Sequence, residues 1–400
     1  MKSKQLLVLV VAAAALGGGG LLVLKNRQAD YSRSTTDMGG KVLGTFDVNA
    51  VAGLRLTQGT NILNVLKSGD GWIVKERGGY PANFGEVAEL VRKFSDLKVA
   101  QPQRVGASQL GRLELTRDTA TAVELLGTDG KALKTILLGK KHSKGGAEDS
   151  SPFGGGAMPD GRYVMVGDDL SSVAVVTDPL SSANPKPEEW VAKDFIKVEQ
   201  PVFVEVTAAE ATNSFQLTRT NELADWTLTD LKPGEATDKA KLTPFSSALS
   251  SPSFNDVLVN PDLSALGLDK PTEVTVRTAT GFAYKLRVGH PVGEDSYPVQ
   301  VGVDASLVKE RTPGKDEKPE DKAKLDKEFA DKLAKQQEKL KAEQALSKWT
   351  FTVSKWSLDS ILKKRSELLT DKNAAPNPAG EAPAGIDPLK LGLPGLPGAN

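Results

Sequence analysis

Short runs that mix β-forming and polar residues, broken by glycine-containing turns, fill most of the chain beyond residue 45. VAGLRLT (Val51–Thr57), NILNVLK (Asn61–Lys67) and GWIVK (Gly71–Lys75), separated by turns such as SGDG, predict three strands. The period then changes. Val87, Leu90, Val91, Phe94 and Leu97 follow at helical spacing behind Asn83, whose side chain suits an N-cap. Strands are expected again at Thr121–Leu126, Leu133–Leu138, Arg162–Val166 and Val173–Val176, with a closing helix around Glu188–Phe195.

The same pattern then restarts. Val202–Val206, Phe215–Thr218 and Asp225–Leu228 repeat the three opening strands. Trp226 lies nine residues after Leu217, as Trp72 lies nine after Leu63. Thr237 or Asp238 can cap a helix carrying Leu242, Phe245 and Leu249. Leu266-Gly267-Leu268, followed by Pro271, leads into Glu273–Arg277. Tyr284–Val288 echoes Thr135–Leu138, each ending at a glycine (Gly289 and Gly139), and Tyr297–Val301 echoes Tyr163–Val166. Trp349–Val353 and a helix from Trp356 to Leu369 complete the second round. The expected class is α+β: an N-terminal transmembrane helix, then two repeated β-β-β-α-β-β-β units at 46–198 and 199–370, each an antiparallel sheet packed on a helix.

Three segments fall outside this repeat. Residues 309–344, inserted in the second unit, are dominated by Lys, Glu and Asp of both signs, with one narrow apolar stripe of Leu325, Phe329, Leu333 and Leu340. A solvated helix held by i,i+4 ion pairs is the plain reading; a helical arm that docks on a partner is the functional one. Charges this dense are expected to stay in water, since unpaired buried ions cost several kcal/mol each. Behind a short basic start (1–4), residues 5–24 carry no charge, and at about 1.5 Å per residue they just span a hydrocarbon core of about 30 Å. We read them as an anchor followed by a polar stalk at 25–45. The alternative is a cleaved signal peptide with its small residues at Ala12–Ala15. Residues 371–400, rich in Pro, Gly and Ala, have the composition of a disordered tail.

Composition narrows the chemistry. The 400 residues hold 51 Lys+Arg and 51 Asp+Glu, so there is no basic excess for a phosphate backbone and no nucleic-acid partner is expected. There is no cysteine, which removes thiolate nucleophiles and thiolate metal sites. Walker A, HExxH, GxSxG and strand-linked GxGxxG motifs are missing from the sequence. The two histidines each precede an acidic pair: His142 with Glu148 and Asp149, His290 with Glu294 and Asp295. An imidazole beside two carboxylates could bind a divalent cation or act as a base. Polar hairpin loops inherited by duplication explain the same residues without any chemistry, and we expect no catalytic residue, metal or cofactor. Trp72 and Trp226 are expected as core anchors; exposed aromatics would instead suit envelope glycans.

Gly71-Trp72, Asp225-Trp226, Leu266-Gly267-Leu268-Asp269-Lys270-Pro271, Gly289 and Tyr297, in this order behind an apolar N-terminus, resemble the bacterial family called domain of unknown function 4340 (DUF4340), in two copies over about residues 45–370. The first copy departs from the pattern, with Leu113-Glu114-Leu115-Thr116-Arg117-Asp118 where the Leu-Gly-Leu turn belongs. The resemblance implies a membrane-anchored bacterial protein, some of whose relatives accompany ABC-type export or gliding-motility systems, and it implies no catalytic residues. The expected function is therefore a non-enzymatic, single-pass inner-membrane protein whose extracytoplasmic body binds a protein of the envelope, as an accessory transport subunit. The alternatives are a polysaccharide- or peptidoglycan-binding module and, third, a metal-dependent hydrolase.

Overall fold

In the computed structural model, residues 37–143, 159–314 and 317–370 are described. The expected anchor at 5–24 and tail at 371–400 lie outside them, and among the described residues no helix is long and apolar enough to cross a membrane.

The first round of runs forms β1 (Gly53–Gln58), β2 (Asn61–Ser68), β3 (Gly71–Val74) and β4 (Tyr80–Pro81), then α1 (Phe84–Asp96), then β5 (Val99–Pro102), β6 (Thr121–Leu126), β7 (Ala132–His142), β8 (Gly161–Val166) and β9 (Ala174–Val176). They hydrogen-bond in the order β4-β3-β2-β1-β6-β7-β8-β9-β5. A single turn, α2 (Pro187–Trp190), replaces the longer closing helix expected there. The second round forms β10 (Pro201–Thr207), β11 (Phe215–Thr218), β12 (Thr227–Leu228), α3 (Lys239–Leu242), β13 (Phe254–Leu258), β14 (Thr272–Thr278), β15 (Phe282–Val288), β16 (Ser296–Ala305), α4 (Pro319–Gln344), β17 (Thr350–Ser354) and α5 (Lys355–Leu358). Its order, β12-β11-β10-β14-β15-β16-β17-β13, is that of the first sheet strand for strand, β4 aside. Both sheets are antiparallel. Each unit carries five strands after its helix where the expected formula has three, and among them β5 and β13, which no sequence run predicted, return to the far edge beside β9 and β17.

Register settles which residues correspond. Leu54 faces Val65 and Leu125, while Val204 faces Leu217 and Val276, so Leu217 corresponds to Val65 and not to Leu63. Trp226 still matches Trp72, each two residues before the strand residue that pairs back (Leu228 with Leu217, Val74 with Val65), because the second hairpin is two residues longer. Trp226 is buried, whereas Trp72 is half-buried against the core. The two tyrosines are not equivalent: Val164 pairs with Leu138 as Val299 pairs with Val288, which aligns Tyr297 with Arg162. A one-residue slip turns a side chain to the other face. Tyr163 accordingly joins the smaller cluster of Val105, Leu115, Leu137 and Met165, while Tyr297 packs on the main core.

Helix α1 starts where Asn83 accepts the Gly85 N–H at 3.1 Å, and buries Val87, Leu90, Val91 and Phe94. Its counterpart α3 opens on Asp238 but gives way to a 3-10 turn containing Pro244, which has no N–H to continue the ladder. The helix expected over Trp356–Leu369 is likewise only α5 and a later 3-10 turn at Arg365–Leu368. Leu358, Ile361 and Leu368 reach the core from mostly irregular chain. Arg365 holds that chain, bonding Asp230 (2.9 Å) and Glu235 (2.7 Å).

The two sheets share one hydrophobic core. At their junction Tyr80 meets Trp349, Phe254 and Phe351 edge-on at 5.2–6.0 Å, and Phe195 packs on Phe254 and Phe351 at 5.3 and 5.0 Å. Arg77 grips Asp256 with two bonds of 2.6 and 2.8 Å and reaches Glu188 at 3.2 Å. Burial, with the nearby Asp194 charge, pushes the Tyr80 hydroxyl up to about 12. Within the expected stalk, Val42 and Leu43 are buried, and the segment Gly39–Val42 exchanges backbone hydrogen bonds with Leu97 and Val99 along the free side of β5.

Candidate functional site

The charged insertion does not lie wholly in solvent. Helix α4 begins at Pro319, and Arg311, in the segment before it, pairs with Glu317 and Asp326. Residues 319–328 are exposed, including Leu325; Phe329 and Leu333 are half-buried; Leu340 packs on the core. Nearest the body sits Glu343, only 6% exposed, although the density of charge argued against any buried member. Its carboxylate accepts the Lys197 N–H at 2.9 Å and the Tyr284 O–H at 3.0 Å. Lys339 donates to Lys197 O and Glu199 at 2.7 and 2.9 Å and lies 5.1 Å from the centre of the Phe282 ring. Burial raises the Glu343 carboxyl above its ordinary value, against the opposing pull of the Lys197 N–H, Lys339 and Tyr284. The Tyr284 hydroxyl is raised as well, by burial first and then by the Glu343 charge. Two satisfied hydrogen bonds are what let a carboxylate sit there. Glu343 went unremarked as a site residue, although it stands three positions after Leu340, where the apolar stripe would continue.

Facing Phe282, Thr280 and Glu199, residues Glu328, Asp331, Lys335 and Lys339 of α4 close over a cleft of about 480 Å³. The helix therefore touches its own sheet through its last turns and stands off over its middle.

The two histidines, each followed by an acidic pair, do not occupy equivalent places. Gly139 and Gly289 are true counterparts: a Cβ at either would collide with the carbonyl of Leu113 or Leu266. Lys140 N–H donates to Leu113 O just as His290 N–H donates to Leu266 O, both at 2.8 Å, so His290 corresponds to Lys140. His142 lies two residues further on, at the end of β7, where its Nδ1 is 2.8 Å from Asp160 Oδ1 and its ring meets Tyr163. Glu148 and Asp149 lie outside the described residues. His290, Glu294 and Asp295 are exposed, and His290 covers Gly267 so closely that a Cβ there would overlap the ring. Among the described residues no three His, Asp or Glu side chains are placed to hold a metal ion.

The same contacts show that Leu113-Glu114-Leu115 is the Leu-Gly-Leu turn of the first unit. Glu114 takes a left-handed backbone (φ 55°) where Gly267 has φ 69°, and Leu115 and Leu268 close the turn with N–H bonds to Leu110 O and Leu263 O.

The last feature is an open groove of about 490 Å³ between the 3-10 turn after α3 and α5. Trp356 borders it with 82% of its surface exposed, whereas Trp190 in the closing turn of the first unit is 2% exposed and donates its Nε1–H to Asn184 O at 3.0 Å.

These features define a mixed α/β protein of two matching antiparallel sheets fused through one core, with the 26-residue helix α4 mounted on the second. The family model described as Domain of unknown function (DUF4340) matches residues 72–271, half of the chain, and the chain belongs to that family. The match runs from Trp72 in β3 to Pro271 at the threshold of β14, taking in parts of both units. No curated protein and no solved structure matches the chain.

Proposed function

We propose that this is a single-pass protein of the bacterial inner membrane whose extracytoplasmic body binds another envelope protein through α4, as an accessory subunit of an ABC-type or gliding-type transport system. The reading is carried by α4 itself. It has 26 residues, about 39 Å at 1.5 Å per residue; its last turns are pinned to the sheet at Lys339, Leu340 and Glu343, while Asp326 near its start is held by Arg311 of the preceding segment. The first unit has the same strand order with no such helix among its described residues, so the sheet does not require it. Its earlier turns carry exposed Leu325 and half-buried Phe329 and Leu333 at successive i,i+4 positions amid charges of both signs, the form in which a helix presents an apolar edge to a partner. The uncharged run at 5–24 supports the anchor.

Photo-crosslinking in native membranes tests this. A photoreactive residue at 325 or 329 should give a discrete adduct with one protein, and one at 327, about half a turn round the helix, should not. Equal labelling from both faces, or none from the apolar positions, would refute α4 as the binding element. N-terminal sequencing of the mature protein tests the anchor separately; a start near Leu16 would remove it.

A further inference from the structure

We infer that the groove beside Trp356 binds an uncharged saccharide chain. The indole is the most telling feature. Short turn α5 buries Ser357 and Leu358 and leaves Trp356, the residue before them, in water. What gives the exposed ring meaning is its place, since it lines an open groove and leaves an aromatic face free for a ligand lying in it. A tryptophan can be packed in a comparable turn, as Trp190 shows.

The rest of the groove supplies the complementary chemistry. Ser250, Ser251, Asp359 and Lys363 line it beside the ring. Neither those two hydroxyls, nor that carboxylate, nor that ammonium group has a side-chain hydrogen bond or ion pair with another described residue. At its floor Leu249 holds a left-handed backbone (φ 62°), a costly conformation for a leucine, fixed in part by its carbonyl accepting the Val198 N–H at 2.9 Å. One acidic and one basic group leave no net charge to attract an ionic polymer. What fits is a ligand with a flat C–H face for the indole and many hydroxyls for the polar rim, which is a pyranose. A volume of about 490 Å³ falls in the range of about 300–1,000 Å³ usual for ligand sites and has room for a short oligosaccharide.

The test uses the whole chain, titrated calorimetrically and by tryptophan fluorescence with two neutral probes, a β-1,4-linked glucose oligomer and a β-1,4-linked N-acetylglucosamine oligomer. At least one should bind. Trp356→Ala should weaken it at least about tenfold, the loss of one stacked ring, with the melting temperature unchanged. Trp356→Phe should restore part of the affinity, and Asp359→Asn should lower it. No binding of either probe at millimolar concentration, or equal binding by Trp356→Ala, would overturn the inference. Replacing Leu325 and Phe329 by Asp should leave saccharide binding intact, so failure here and failure of the α4 reading can be told apart.

Discussion

Glu343→Gln is expected to leave the protein as stable as the wild type at pH 7 or more stable. The carboxylate accepts two hydrogen bonds while 6% exposed. Neutralising it removes a desolvation cost of several kcal/mol for a buried ion. It also turns two charge-assisted bonds, worth about 1.5–3 kcal/mol each, into neutral ones worth about 0.5–1.5. Glutamine can satisfy the whole site. Its Oε1 takes the Lys197 N–H, its Nε2–H donates to the Tyr284 oxygen, and the Tyr284 proton turns to Lys197 O, already 3.1 Å away. The net change should lie between zero and about 2 kcal/mol of stabilisation, a rise of at most a few degrees in melting temperature. Glu343→Ala should instead cost about 1–3 kcal/mol, because the Lys197 N–H loses its acceptor. The pH dependence has a fixed sign. The folded protein holds the Glu343 proton more tightly than the unfolded chain, whose ordinary value is near 4.5. The wild type is therefore favoured at and below that pH and loses ground to Glu343→Gln as pH rises through the higher folded value. Denaturant titrations of both variants from pH 4 to pH 8, with hydrogen exchange along α4, measure this. A Gln variant weaker by more than about 2 kcal/mol, or a gap that closes as pH rises, would refute the account.

Trp226→Ala should cost about 3–5 kcal/mol by calorimetry, since the ring is buried, its Nε1–H donates to Ser246 Oγ at 3.0 Å and Arg219 stacks at 4.6 Å. Trp72→Ala, at the half-buried counterpart, should cost less than about 3 kcal/mol; equal losses would contradict the different burial of the two rings. Gly267→Ala should destabilise, through its positive φ and the His290 ring above it, and His290→Ala should restore part of the loss. At the equivalent turn Glu114→Gly should stabilise by up to about 1 kcal/mol, because an L-residue there pays for the left-handed backbone.

Periodicity and turn residues were enough to place the strands that alternate cleanly: Thr121–Leu126 and Phe215–Thr218 form with the expected bounds. They did not reveal β5 and β13, because VAQP and FNDVL are short, interrupted by proline or by Asn-Asp, and acquire strand form only by pairing with β9 and β17 far along the chain. Leu113-Glu114-Leu115 stood at the place of the Leu-Gly-Leu turn, but its sequence could not show that the glutamate takes the glycine's left-handed backbone. That His142 and His290 are not equivalent was not legible, because position in a loop carries no register, whereas Gly139 and Gly289 are fixed by carbonyls that leave no room for a side chain. Apolar spacing over Trp356–Leu369 resembled a helix, but a loop laid on a core presents the same intervals. For α4 the sequence identified the helix and its stripe; the burial of Glu343 depends on Tyr284 and Lys197, which no local pattern brings near it.

The junction between the sheets joins unlike edges: Tyr80 of β4 and Arg77 just before it, in the first unit, meet Phe254 and Asp256 on β13 of the second. A head-to-tail contact of this kind does not close on itself; repeated, it would generate a fibre. The surface that a preceding copy would need is the outer side of β5, the counterpart of β13, and there the backbone of Gly39–Val42 already occupies the hydrogen-bonding positions. This short segment thus covers a strand edge that would otherwise stand open to pairing with another chain. Removing it would leave β5 with an unpaired edge, the kind of surface on which sheets of separate molecules pair.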